Sequence, residues 1–200
     1  MAFAIDDMRF QEDWVTRAHS HKGAVLCIRP LRPDDRDREI AFLNALSERS
    51  RYFRLFTPLQ FLPRHLIDQL MDVDYRQRMA FVATTEHVGA EQVVGVARYC
   101  VTDEPGTAEL GISVADRWQR SGIAGLLMQQ LVRYAQAQHV RRLIGSVLPD
   151  NPAMIALARR VGFSVRYDPA QHVFKMYRDL SSPEPSQPAI APCTSASLSV

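Results

Sequence analysis

Within residues 117–125, Arg117 and Arg120 bring positive charge, Gly122 brings backbone freedom, and Ala124 and Gly125 bring side chains too short to obstruct a ligand. Gln119, Ser121 and Ile123 complete the run, and the carboxylate of Glu109 lies just upstream. Together these residue types can hold an anion on backbone N–H groups beside a group able to move a proton. A phosphate, and in particular a pyrophosphate, is the matching ligand.

The flanking patterns say what positions them. Leu110, Ile112 and Val114 alternate with Glu109, Gly111 and Ser113, the period of a strand. From Ile123 the apolar residues Leu126, Leu127, Leu131, Tyr134 and Ala135 recur at helical spacing, so Gly122 stands where a turn becomes the first turn of a helix. The unpaired N–H groups and the positive dipole end there favour an anion. An ordinary strand-to-helix connection has the same local pattern. No Gly-x-x-x-x-Gly-Lys-Ser/Thr is present and no Gly-x-Gly-x-x-Gly follows an apolar strand, which removes the usual handles of nucleotide hydrolysis and dinucleotide redox chemistry.

Downstream, residues 142–148 read as a buried strand, residues 149–152 as a turn containing Asn151, and residues 153–161 as a helix closed by Gly162, with Phe163 opening another strand. This order, after a Gln-x-x-Gly-x-Ala helix start, resembles the GNAT superfamily of acyl-CoA-dependent N-acyltransferases over residues 26–180. The segment Ser47, Glu48, Arg49, Ser50, Arg51, Tyr52, Phe53, Arg54, Leu55, Phe56, then Asp74 and Tyr75, the strand 79–83, the tripeptide Ala108, Glu109, Leu110 and the run 147–163 are similar to the catalytic domain of bacterial Pat-type protein-lysine acetyltransferases.

The resemblance implies a mixed α/β fold: a mostly antiparallel sheet with one splayed parallel pair, flanked by helices. It implies acetyl-CoA as co-substrate and no metal. The pyrophosphate falls to Gln119, Arg120, Ser121, Gly122, Ile123, Ala124 and Gly125, and the pantetheine arm to the strand residues Ile112, Ser113 and Val114. Glu109 matches the catalytic glutamate of the Pat-type domains. A free lysine, with a pKa near 10.4, costs roughly 4 kcal/mol to present as neutral amine at pH 7, and a general base recovers part of this. A partly desolvated Glu109 is suited to take that proton, directly or through one water; the rival reading is a solvent-facing glutamate or one paired with Arg98. Asn151 is expected to contact the pantetheine or a water near the thiolate, to cap the following helix, or both. Many family members carry a tyrosine acid where this chain has Ala158, so the leaving thiolate takes its proton from water or needs none. Tyr52 is a substrate candidate, whereas Arg54 and Phe56 read as a loop anchor and a core aromatic.

The expected reaction is direct attack by a primary amine on acetyl-CoA in a ternary complex. A protein lysine is the leading acceptor. A small amine such as a polyamine, antibiotic or amino acid is the alternative, followed by a non-catalytic CoA-binding module. Some Pat-type proteins add a nucleotide-binding or synthetase-like domain, for which this chain has no room.

Composition agrees with one domain. The chain has 200 residues, 46% hydrophobic, with 24 Lys+Arg against 22 Asp+Glu and a net charge of +2, giving no excess for nucleic acid. The only lysines are Lys22 and Lys175. Cys27, Cys100 and Cys193 form no Cys-x-x-Cys, which argues against a disulfide framework or zinc site; Cys27 and Cys100 sit in apolar strand patterns and read as buried. The histidines show no metal spacing and read as surface residues. No apolar run approaches membrane length, and residues 1–7 lack signal-peptide features, so no membrane association and a cytoplasmic location are expected. Residues 1–23 are read as an N-terminal extension with Phe10 and Trp14 in a short docking helix, 24–180 as the catalytic domain, and 181–200 as a disordered Ser/Pro/Ala-rich tail.

Overall fold

A computed structural model describes residues 12–56 and 62–180; the expectations for Phe10, Cys193 and the 181–200 tail lie outside them. Eight strands form one sheet in the order β1-β2-β3-β4-β5-β6-β8-β7. They are β1 (Thr16–His19), β2 (Val25–Pro30), β3 (Arg78–His87), β4 (Ala90–Val101), β5 (Thr107–Val114), β6 (Arg142–Val147), β7 (Ser164–Asp168) and β8 (Val173–Asp179). Among the described residues only β5 and β6 run parallel.

Among the described residues, five α-helices lie against the sheet: α1 (Arg36–Ala45), α2 (Glu48–Leu55), α3 (Arg64–Met71), α4 (Ile123–Ala137) and α5 (Pro152–Arg160). The amphipathic pattern from Ile123 onward lays α4 on one face, where Leu127, Met128, Leu131 and Tyr134 meet Phe81, Ala97, Tyr99 and Leu110. On the other face Phe42, Leu43 and Leu46 of the α1 region and Ile67 of α3 cover Ala80, Val82, Val93 and Val96. The central strands are thus buried on both sides, which explains the nearly continuous apolar run of β3.

Several expectations change. Residues 16–19 form β1, paired antiparallel with β2, so the sheet begins ahead of residue 24. Trp14 does dock, edge-on to Tyr134 at 4.8 Å between centroids. The segment after Ser47 is helical as α2, a helix with no buried residue, and Phe56 at its end is exposed rather than in the core. Cys27 is only partly buried and Cys100 is exposed, because β4 alternates and turns Cys100 toward the open face.

Arg29 and Asp35 are a buried ion pair. Arg29 donates to Asp35 from both terminal guanidinium nitrogens, at 2.6 and 2.7 Å, and to Glu91 at 2.9 Å. Among the described residues no helix is long and apolar enough to cross a membrane, and no cluster of three or more His, Cys, Asp or Glu could hold a metal ion.

Candidate active site

The parallel pairing of β5 and β6 stops early. It joins Thr107 to Arg142, Ala108 to Leu143 and Glu109 to Ile144, and beyond Glu109 the strands part. β5 stays paired with β4 to its end, Gly95 opposite Val114. The Ala115 N–H bonds the Val94 carbonyl at 2.9 Å. Backbone groups alternate across an antiparallel ladder, so those of Ile112 and Val114 face away from β4, into the gap. Two contacts agree: an added Cβ at Gly145 of β6 would lie 3.4 Å from the Leu110 carbonyl, and the Val114 carbonyl accepts from the Gln119 side chain at 3.3 Å.

The gap is part of a cleft of about 1230 Å³ lined by Glu109, Ile112, Ser113, Val114, Gln119, Arg120, Gly122, Ile123, Ala124, Gly125 and Asn151. Of the residues anticipated for the cofactor, only Ser121 does not line it: its side chain is buried and its hydroxyl donates to the Trp118 carbonyl. Ile123 contributes backbone there, its side chain being in the core. Tyr52 is exposed and does not line the cleft.

At the start of α4, Arg120 and Gly122 both take left-handed backbone angles, with φ of 58° and 88°. This alternation turns successive N–H groups to one side. The first backbone bond of the helix runs from Leu126 to the Gly122 carbonyl, so the preceding N–H groups have no helical acceptor. Gly122 meets a second demand: a Cβ there would lie 2.6 Å from Nε2 of His21. His21 also donates its N–H to the Ser121 carbonyl at 2.8 Å, pinning the loop from the β1–β2 turn. The sequence reading placed His21 on the surface, and it is exposed, yet it lines the cleft.

Glu109, Gly111 and Ser113 share one face of β5, opposite Cys100, Arg98 and Val96 of β4. Glu109 is exposed rather than partly desolvated, and Arg98 is committed elsewhere, to Glu39 at 2.6 Å and the Leu70 carbonyl at 2.6 Å. Glu39 is almost fully buried, and burial raises its carboxyl against the pull of Arg98. The Ser113 hydroxyl is buried without a partner. Arg54, read from sequence as a loop anchor, reaches from α2 onto the backbone of Gly111.

The contacts of Asp116 with Ser47 and Ser50 had no local signal. Asp116 accepts from the Ser47 N–H at 2.9 Å and from the Ser47 and Ser50 hydroxyls at 2.7 Å each, tying α2 to the loop. Burial would raise the Asp116 carboxyl; the donors from Ser47 and Ser50 outweigh it and hold it below the usual range. Asn151 caps α5 by accepting from the Met154 N–H at 3.1 Å, and it also lines the cleft. The α5 residues facing the cleft are Pro152, Ala153, Met154, Leu157 and Arg160, whereas Ala158 is in the core, so no hydroxyl of this helix faces the gap.

A parallel pair that splays, a strand edge with free backbone groups and a helix start with unpaired N–H groups meet at one cleft. The model of the acetyltransferase (GNAT) domain matches residues 26–164, and the chain belongs to that family. GNAT acetyltransferases take their acetyl group from acetyl-CoA. Among its relatives, the chain is 38% identical over 147 residues to acetyltransferase PA5475 of Pseudomonas aeruginosa, covering 74% of this chain and 79% of that one. It is 32% identical over 141 residues to acetyltransferase Pat of Mycolicibacterium smegmatis, covering 70% of this chain but only 41% of that longer protein. The GNAT domain of S. lividans PAT superposes with a TM-score of 0.76 at 24% identity, covering 84% of this chain and 97% of that one, a likeness of fold.

Proposed function

We propose that the protein transfers the acetyl group of acetyl-CoA to a primary amine, a protein lysine side chain, by direct attack in a ternary complex with Glu109 as general base. The observation that carries this reading is the exposed carboxylate of Glu109 at the point where β5 parts from β6. A base reachable from solvent suits an acceptor that is part of a large molecule.

In this reading the N–H groups from Gln119 to Gly125 hold the pyrophosphate, and the free edge of β5 at Ile112 and Val114 pairs with the pantetheine amides. The thioester carbonyl then lies near the Ile112 N–H, which stabilises the developing oxyanion. Glu109 takes the proton of the attacking amine, directly or through a water. The new N–C bond forms, the C–S bond breaks, and the thiolate leaves. With a thiol pKa near 8.5, it takes its proton from water, consistent with the lack of a hydroxyl among the α5 residues that face the cleft.

The test is thiol release from acetyl-CoA with a panel of proteins and small amines, run beside Glu109→Gln. Acetylation of protein lysines by the wild type and its loss in the variant are expected. Transfer to small amines alone excludes the protein acceptor, and a wild-type rate in the variant excludes Glu109 as base.

A further inference from the structure

Arg54, Arg78 and Arg98 line the same cleft as Glu109, and the last two are already occupied. Arg78 pairs with Asp72 at 3.2 Å and Asp74 at 3.6 Å, and Arg98 with Glu39 at 2.6 Å. Arg54 has no hydrogen bond or ion pair with any described residue, although it lines the cleft. Burial and the charge of Arg98 push its guanidinium down to about 10, against the pull of Glu39 and Glu109. It is therefore charged at neutral pH, and an anion beside it would offset that cost.

Its place is fixed by a missing side chain. A Cβ at Gly111 would lie 2.2 Å from Nη1 and 2.7 Å from Cζ of Arg54, so the guanidinium rests on the β5 backbone where glycine alone leaves room. Glu109 is two residues along the same face, about 7 Å at the strand rise. Like Arg54, it has no ion pair among the described residues. An uncommitted anion and an uncommitted cation thus face one cleft at neighbouring positions. A bare ammonium drawn to Glu109 is repelled by Arg54. An ammonium with a carboxylate a few ångströms away is attracted by both.

We propose that Arg54 receives a carboxylate that the acceptor carries close to its reactive amine. The carboxylate is the side chain of an acidic residue beside the target lysine, or the same group on a free amino acid. This inference rests on Glu109 taking the amine, and it deepens that reading by naming the charge pattern of the acceptor.

The test uses the full chain and two substrate series: peptides with one lysine beside Asp or Asn, and free amino acids against their carboxamides. Thiol release is measured for wild type, Arg54→Gln, Arg54→Lys and Gly111→Ala, with acetyl-CoA affinity measured alongside. The wild type is expected to favour the carboxylate member of one series by about tenfold or more in kcat/KM, expressed in KM, the size of a charge-assisted contact. The series showing the preference identifies the source. The preference should collapse in Arg54→Gln, survive in part in Arg54→Lys, and collapse in Gly111→Ala, which pushes the guanidinium aside without removing its charge. Equal wild-type rates within both series overturn the proposal even if a variant fails to fold, and so does a preference that survives Arg54→Gln. Transfer without any acid preference defeats the role of Arg54 alone, whereas no transfer to any amine defeats the acetyl-transfer reading beneath it.

Discussion

The Ser50 hydroxyl donates to the Asp116 carboxylate at 2.7 Å and accepts from the Gln119 amide at 3.1 Å, so one side chain of α2 holds two residues of the candidate pyrophosphate loop. A helix with no buried residue owes its position to such contacts. Ser50→Ala is expected to remove about 1 kcal/mol of this tether. Acetyl-CoA affinity, measured by calorimetry, should fall about fivefold, with thermal stability nearly unchanged. An unaltered affinity would mean that α2 does not support the loop.

Replacing Glu109 tests the chemistry directly. Glu109→Gln keeps the size and polarity of an exposed side chain, so stability and acetyl-CoA binding should hold. Turnover should drop about a hundredfold or more, within the usual contribution of a general base. Steady-state kinetics beside acetyl-CoA titration separates the two effects.

Gly122 carries a different prediction. A valine there would have to adopt φ near 88° and would drive its Cβ into the His21 ring. The strain is on the order of 2 kcal/mol, concentrated where the N–H groups must converge. Gly122→Val should weaken acetyl-CoA at least about tenfold while far-UV circular dichroism stays native. Native affinity in a folded variant would remove the loop from the cofactor site.

Cys100 lies opposite Glu109 across the β4–β5 ladder and is exposed in the cleft. Alkylation with N-ethylmaleimide should block the acceptor side, reducing turnover by about tenfold or more while sparing acetyl-CoA binding. The Cys100→Ser variant should resist the reagent. Cys27 should react more slowly, since burial raises its thiol and less of it is thiolate.

The acid limb of stability should report Asp35. Burial would raise its carboxyl, but the Arg29 hydrogen bonds, the Arg32 N–H and the charges of Arg29 and Arg38 outweigh it and lower it. A carboxyl lowered in the native state stabilises the fold at pH above its unfolded value, about 3.9, and that contribution is lost as pH falls through the native value. Asp35→Asn should cost about 3 kcal/mol at pH 7, as for a broken buried pair. Urea denaturation at pH 7 and near pH 3 should show the gap between wild type and variant narrowing in acid.

Much of the site was legible because its signals are local. The alternation of Leu110, Ile112 and Val114, the helical period after Ile123 and the turn residues around Asn151 and Gly162 place the strand, the cradle and the second helix without knowledge of contacts. Phe56 and Cys100 misled for the same reason: an apolar side chain indicates burial only when the far side of its element is covered, and neither sits on such a face. His21 carried no signal, because nothing local says that the β1–β2 turn closes over residues a hundred positions away.

The sequence by itself determined the elements from β5 to α5, the backbone chemistry at the start of α4 and the carboxylate on β5, since propensity, periodicity and the needs of an unpaired helix end act over a few residues. Tertiary structure alone decided where β5 leaves β6, that Asp116 would bind Ser47 and Ser50, and that Arg54 would rest on Gly111 with its charge uncommitted. Those outcomes depend on sheet register and on which side chains meet across the fold, and a guanidinium's partner is set by distance in space rather than along the chain.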